Sequence, residues 1–197
     1  MDWGSVLQVV LGAFLGAAFF FIIEEIVRKI RKKSEERALL QQLKNDLNIV
    51  ISELRSFERN LQAFSQQYDS PLRKLKEHYR LKFPLWDHTW REKYYLLRGR
   101  ALSEDQWEKL TSLGNLLSQM DKIDKELGEG RKKYLESTTK YSATVEPLRQ
   151  ELHSLTKVKW SDLLKYVKKA VKTACELLGS LEADIPSELC PDGESED

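Results

Sequence analysis

The side chains best able to hold a metal, move a proton or attack a carbonyl are His78, His88, His153, Cys175 and Cys190. Their spacing supports none of these tasks. The histidines are scattered, without a carboxylate or cysteine at metal-ligand distance in sequence. No glycine-rich loop is placed to cradle a phosphate, and no strand-turn-helix nucleophile motif appears. The expectation is a protein that is not an enzyme, holds no metal and needs no cofactor. The two cysteines show no disulfide framework and read as reduced thiols in a reducing compartment.

Binding chemistry has more candidates. Phe83 to Tyr95 is the most aromatic stretch, and within it Trp86, Trp90 and Tyr94 share one face if helical. Such rings could stack a nucleobase or dock a partner helix, and equally could fill a core where helices cross. Arg98 and Arg100 flank Gly99 just before a helix start at Ser103, where cations beside free amides can hold an anion. The last helix carries Lys165, Lys168, Lys169 and Lys172 opposite an apolar face. A basic amphipathic helix of this kind can lie on anionic headgroups, bind nucleic acid or the chain's own acidic tail, or simply be a solvated outer face.

These groups must be positioned by an unusual chain. Val6 to Ile23 is an unbroken apolar run whose only polar member is Gln8. At about 1.5 Å per residue, Trp3 to Ile23 reaches roughly 30 Å, the thickness of a bilayer's hydrocarbon core. Arg28, Lys29, Arg31, Lys32 and Lys33 follow at once, while the N-terminal flank has no base. Lysine and arginine resist translocation, so the expected topology is a single span in a cell inner membrane, N-terminus outside and the body cytoplasmic. A cleaved signal peptide would carry its positive charge before the apolar run and small residues after it; Ile22-Ile23-Glu24-Glu25 follows instead. Gly12 and Gly16, with Gln8 one turn earlier, form a small-residue face suited to self-association of the anchor.

Between Ala17 and Ser70 there is neither glycine nor proline, so the spanning helix is expected to continue into the cytoplasm. Leu40, Leu43, Leu47, Val50, Leu54, Phe57, Leu61, Phe64 and Tyr68 alternate three and four apart. That seam fits a parallel homodimeric coiled coil or one face of an intramolecular bundle. In a parallel pair Glu53 would approach Glu58, and Ile51 widens the stripe, which favours the bundle. Further helix starts are predicted at Ser70-Pro71, at Thr89 with Glu92 and at Ser103 with Gln106, and a stop at Gly128-Glu129-Gly130. The pattern then predicts one helix from Tyr134 to Leu155 kinked at Pro147, and a last one opened by Ser161 and closed by Gly179. From Ser180 onward there are seven acids and no base, a composition expected to be disordered.

The fold class is therefore all-α: an N-terminal transmembrane helix continuing into a cytoplasmic antiparallel helical bundle. The expected divisions are an anchor at 1–27, a basic juxtamembrane helix at 28–39, the bundle at 40–179 and the acidic tail at 180–197. The order of a short span, a basic stop, a long helix with Leu43-Lys44-Asn45-Asp46-Leu47-Asn48, a Trp86 to Trp90 segment and a later Tyr134 resembles uncharacterised single-span prokaryotic membrane proteins. That resemblance implies a prokaryotic membrane setting and no catalytic residues; anti-phage membrane effectors are an analogy. The expected function is a membrane-anchored interaction or effector protein that self-associates and perturbs the bilayer. A passive scaffold and a ligand-sensing helical domain are the alternatives. Expected partners are the lipid bilayer, further copies of the chain and a cytosolic protein, and nucleic acid is not expected.

Overall fold

The computed structural model describes residues 3–84, 89–138 and 145–181, with side chains from Phe19 onward and without that of Val145. In order these residues form α1 (Trp3–Gln67), α2 (Pro71–Glu77) and a 3-10 turn (His78–Arg80). They continue with α3 (Trp90–Lys93), a second 3-10 turn (Tyr95–Leu97), α4 (Glu104–Thr138) and α5 (Val145–Ser180). No strand occurs among the described residues; one isolated bridge joins Arg98 and Leu102. With no helix breaker after Gly16, α1 runs 65 residues, roughly 100 Å, without interruption. The expected boundaries at 27 and 39 thus fall inside a single helix.

Among the residues of α1 whose side chains are described, the buried ones lie in its second half. Leu43, Leu47, Val50, Ile51, Leu54, Phe57, Leu61 and Phe64 are buried against the chain's own later segments, so the seam serves an intramolecular bundle. Ile51, which widens the stripe, is completely buried, as a helix with more than one packing neighbour requires. After Tyr68 the chain returns along α1 in broken helices. Arg80 bonds Tyr68, Phe83 packs on Phe57 with centroids 4.8 Å apart, Tyr94 reaches Asp46, and Arg100 reaches Glu36. α4 and α5 then form an antiparallel hairpin closed at its open end by Gln106 Nε2 donating to the Ser180 carbonyl at 2.8 Å. Trp160 of α5 locks onto α1, stacked on Phe64 at 5.2 Å, its indole N–H donating to Ser65 Oγ at 2.7 Å. The result is a bundle of α1, the broken return, α4 and α5, each antiparallel to the element that precedes it.

Local signals decided some helix ends and lost others to packing. At Ser103 the capping box forms as expected: Ser103 N–H donates to Gln106 Oε1 at 2.9 Å and Gln106 N–H to Ser103 Oγ at 3.2 Å. Ser70 makes no side-chain cap; Pro71 alone marks the start of α2, and Ser70 N–H turns to Asp69. Thr89 caps nothing either, and the helix it was expected to open shrinks to the four residues of α3. Ser161 lies inside α5, which runs straight through it because Trp160, Leu163 and Val167 are all buried on one continuous face. The helix expected from Tyr134 to Leu155 is instead two: Tyr134 lies near the end of α4, while Pro147 sits in the first turn of α5, where a missing N–H costs no hydrogen bond. Tyr141 lies outside the described residues, as does the tail beyond Leu181. Cys175 is disulfide-bonded, which corrects the expectation of reduced thiols.

The stop expected at Gly128-Glu129-Gly130 is absent, since α4 continues to Thr138. Gly130 is buried, and a Cβ there would stand 3.4 Å from Leu75 Cδ1 and 3.5 Å from Leu155 Cδ2. A Cβ would meet both at ordinary van der Waals distance, so the packing tolerates a methyl here, and the glycine does not end the helix. Gly128 faces open space. Gly128→Ala is therefore expected to stabilise the bundle by about 0.8–1 kcal/mol through helix propensity alone, raising the melting temperature by roughly 2–4 °C in a thermal melt followed by circular dichroism.

Candidate functional site

Between Phe19 and Glu35 no residue of α1 is buried. Phe19, Phe20, Phe21, Ile22 and Ile23 are 48% to 69% exposed, and Ile26, Val27 and Ile30 continue the exposed apolar surface. Water-facing surfaces rarely carry so long a contiguous apolar stretch. Arg28 and Lys29 lie over Glu25, at 2.5 and 3.8 Å, whereas Arg31, Lys32 and Lys33 are exposed with no ion pair among the described residues. Among the described residues, the first ion pair that joins α1 to a later segment is Glu36–Arg100 at 3.5 Å. Among the described residues no helix is long and apolar enough to cross a membrane. The expected self-association residues Gln8, Gly12 and Gly16 lie outside the residues whose side chains are described.

The aromatic stretch is core. Trp90 and Tyr94 are 3% and 0% exposed, so neither offers the partner or ligand surface considered from the sequence; Trp86 and His88 lie outside the described residues. The reason is the return segment's path along α1, which turns these rings inward. Tyr94 Oη donates to Asp46 Oδ2 at 2.5 Å, and Lys93 Nζ reaches the same oxygen at 2.6 Å. One half-buried carboxylate on α1 thereby fixes the return segment. Asp46→Ala leaves a buried hydroxyl without its acceptor and is expected to cost about 1–3 kcal/mol, measured by urea unfolding. Asn is expected to recover part of it.

Arg98 and Arg100 are also committed. Arg98 pairs with Glu104 at 2.6 Å and lies over the Trp107 ring, 5.5 Å from its centroid. Its hydrogen bond to Glu104 pushes an already high guanidinium pKa further up. Between the two arginines Gly99 adopts φ +66°, the left-handed turn that lets its N–H reach the Leu102 carbonyl at 3.2 Å. With carboxylates occupying both guanidiniums, this loop presents little net attraction for an anion.

Lys165, Lys168, Lys169 and Lys172 do share an exposed face of α5, and none has an ion pair among the described residues. Lys159 is different: it bonds Glu126 across the α4–α5 hairpin at 2.5 Å. Of the histidines, His78 is buried with Nε2 3.0 Å from Asp124 Oδ1 and its ring tilted on Phe83. His153 borders an open cleft of about 500 Å³ between α1, α2 and α5, beside Ser65, Lys74, Lys157 and Trp160. No group of three His, Cys, Asp or Glu that could hold a metal occurs among the described residues. The residues that carry contacts without having stood out in the sequence are Asp46, and Arg73, Tyr79, Arg80 and Arg131 at the end of the bundle remote from Phe19. Their meeting depends on the return path, for which no short-range signal exists. Compared by sequence and by shape, the chain matches no family model, no curated protein and no solved structure.

Proposed function

We propose that the chain is a membrane-anchored, non-enzymatic interaction or effector protein, moored by residues 3–23 of α1, its bundle presented on the cytoplasmic side of a cell inner membrane. One observation carries the reading: the apolar residues Phe19 to Ile23 are uncovered on the part of α1 that precedes its buried seam. A bilayer covers such a surface, and the bases that follow are where a cytoplasmic boundary belongs. Self-association through Gln8, Gly12 and Gly16 and disturbance of the bilayer complete the effector reading, with anti-phage defence as its analogue. In the scaffold reading the same anchor only holds a cytosolic partner in place.

A second orientation, body outside, is favoured by the disulfide at Cys175, because such bonds persist in oxidising compartments. Protease added to intact spheroplasts separates the two: protection of the bundle supports the cytoplasmic orientation, and digestion supports the other. Recovery of the chain in the soluble fraction rejects the anchor altogether. Gly12→Ile with Gly16→Ile tests self-association, since the mass of the detergent-solubilised protein is expected to fall to that of a monomer. Depolarisation by the unaltered chain, lost in that variant, distinguishes an effector from a scaffold.

A further inference from the structure

At the end of the bundle remote from the apolar run, guanidinium groups and phenols alternate in an unbroken series of contacts. Arg73 lies over the Tyr68 ring, 5.8 Å from its centroid. Tyr68 Oη accepts from Arg80 Nη1 at 3.3 Å, and Arg80 Nε in turn donates to Tyr79 Oη at 3.2 Å. Arg131 of α4 lies over the Tyr79 ring at 4.6 Å, held there by Nε donating to the Lys76 carbonyl at 3.0 Å. Three parts of the chain, the end of α1, residues 71–82 and α4, supply one continuous ladder.

Carboxylates are scarce along it. Arg80 pairs with Glu77 at 2.9 Å, while Arg73, Lys76, Lys82 and Arg131 have no ion pair among the described residues. Arg73, Lys76, Arg80 and Lys82 are exposed, and 57% of Tyr79 is open although both Arg131 and Arg80 lie against its ring, at 4.6 and 5.7 Å from its centroid. A groove of about 360 Å³ runs beside Tyr68, Arg80 and Lys82, with the amides of Asn60 and Gln67 on its other wall.

We infer that this ladder is a binding site for single-stranded nucleic acid, with Arg73, Arg80, Lys82 and Arg131 on the phosphates and Tyr79 stacking a base. Planar guanidinium forks match phosphate oxygens, and an arginine held on a tyrosine is already oriented, so less motion is lost on binding. An exposed phenol beside a cationic groove is the arrangement that takes unpaired bases without sequence preference. The anchor's own bilayer is out of reach: Ile23 to Gln67 spans about 65 Å of α1, several times the roughly 8 Å screening length at physiological salt. That last clause alone rests on the anchor reading. From the sequence nucleic acid is not expected, because residues 73–82 and Arg131 lie on separate segments and become one surface only when α2 packs on α4.

The test is fluorescence anisotropy of a labelled single-stranded oligouridylate with the full chain in detergent. Affinity that falls steeply with salt is expected. Tyr79→Ala is expected to weaken binding on the order of tenfold with little change in the salt slope. Arg73→Glu with Lys82→Glu is expected to weaken it more and to reduce the slope by at least about 1.4, the share of two phosphate contacts. Lys168→Glu with Lys172→Glu on α5 serves as the charge control and is expected to leave binding within about twofold of the parent, a change no larger than one screened surface contact makes. Circular dichroism melts establish that each variant is folded. No binding at low salt, equal loss in the α5 control, or capture of phosphatidylserine vesicles by the ladder residues in preference to the oligonucleotide overturns the inference. A chain that binds oligouridylate but does not sediment with membranes rejects the anchor alone. One that sediments without binding rejects this site alone.

Discussion

Leu15→Arg is expected to move the chain from the membrane fraction to the soluble or aggregated fraction. Leu15 lies in the middle of the apolar run. Placing arginine at the centre of a span costs about 2.5–3.5 kcal/mol in insertion free energy, and the lost leucine adds roughly a further 0.5 kcal/mol. That total exceeds a hundredfold in the insertion equilibrium, enough to reverse the partition of a chain held by the proposed anchor alone. Leu96→Arg is the control, because Leu96 is 57% exposed on the bundle and its replacement meets only water. If Leu15→Arg stays with the membranes while retaining a folded bundle, the mooring lies elsewhere and the orientation argument goes with it.

Trp160→Ala is expected to be the most damaging single change within the bundle, at about 3–5 kcal/mol, against the roughly 5–15 kcal/mol total of a domain of ordinary size. Trp160 is 4% exposed, stacks on Phe64 and joins α5 to α1 through Ser65. Its removal opens a cavity at the seam between the two helices and frees the α4–α5 hairpin to move against α1. Trp160→Phe separates the two contributions: it keeps a ring against Phe64 and loses the indole N–H, so a cost of about 1 kcal/mol is expected. Urea unfolding with a global probe measures both. Equal losses in the two variants mean that the hydrogen bond, and not the stacked ring, holds α5 in place.

The α1 seam was legible because burial along a helix leaves a period: Leu43 to Phe64 repeats three and four apart, and the same residues are buried in the bundle. Charge rejected the dimeric alternative correctly, since Glu53 and Glu58 have no place in a parallel pair. The Ser103 capping box was legible for a similar reason, its two bonds spanning only three residues. Helix ends governed by distant packing were not. Gly130 reads as a stop in isolation, and only the packing of Leu75 and Leu155 beside it reveals a buried position inside a continuing helix. Ser161 reads as a cap until the buried residues on either side of it demand one helix. The candidate surfaces divide along the same line. Exposure of the α5 lysines follows from periodicity, whereas the burial of Trp90 and Tyr94 and the Arg73 to Arg131 ladder follow from the route of residues 68–103, set by long-range contacts.

The uninterrupted backbone of α1 has a mechanical consequence. Hydrogen bonds between successive turns make it a stiff shaft, and between Ala17 and Ser70 it has no glycine or proline at which to swivel. A twist or tilt imposed on the bundle by anything that grips its far end reappears at the opposite tip as a rotation of the greasy segment. Signals entering the body therefore need no loop or hinge to be felt some tens of ångströms away.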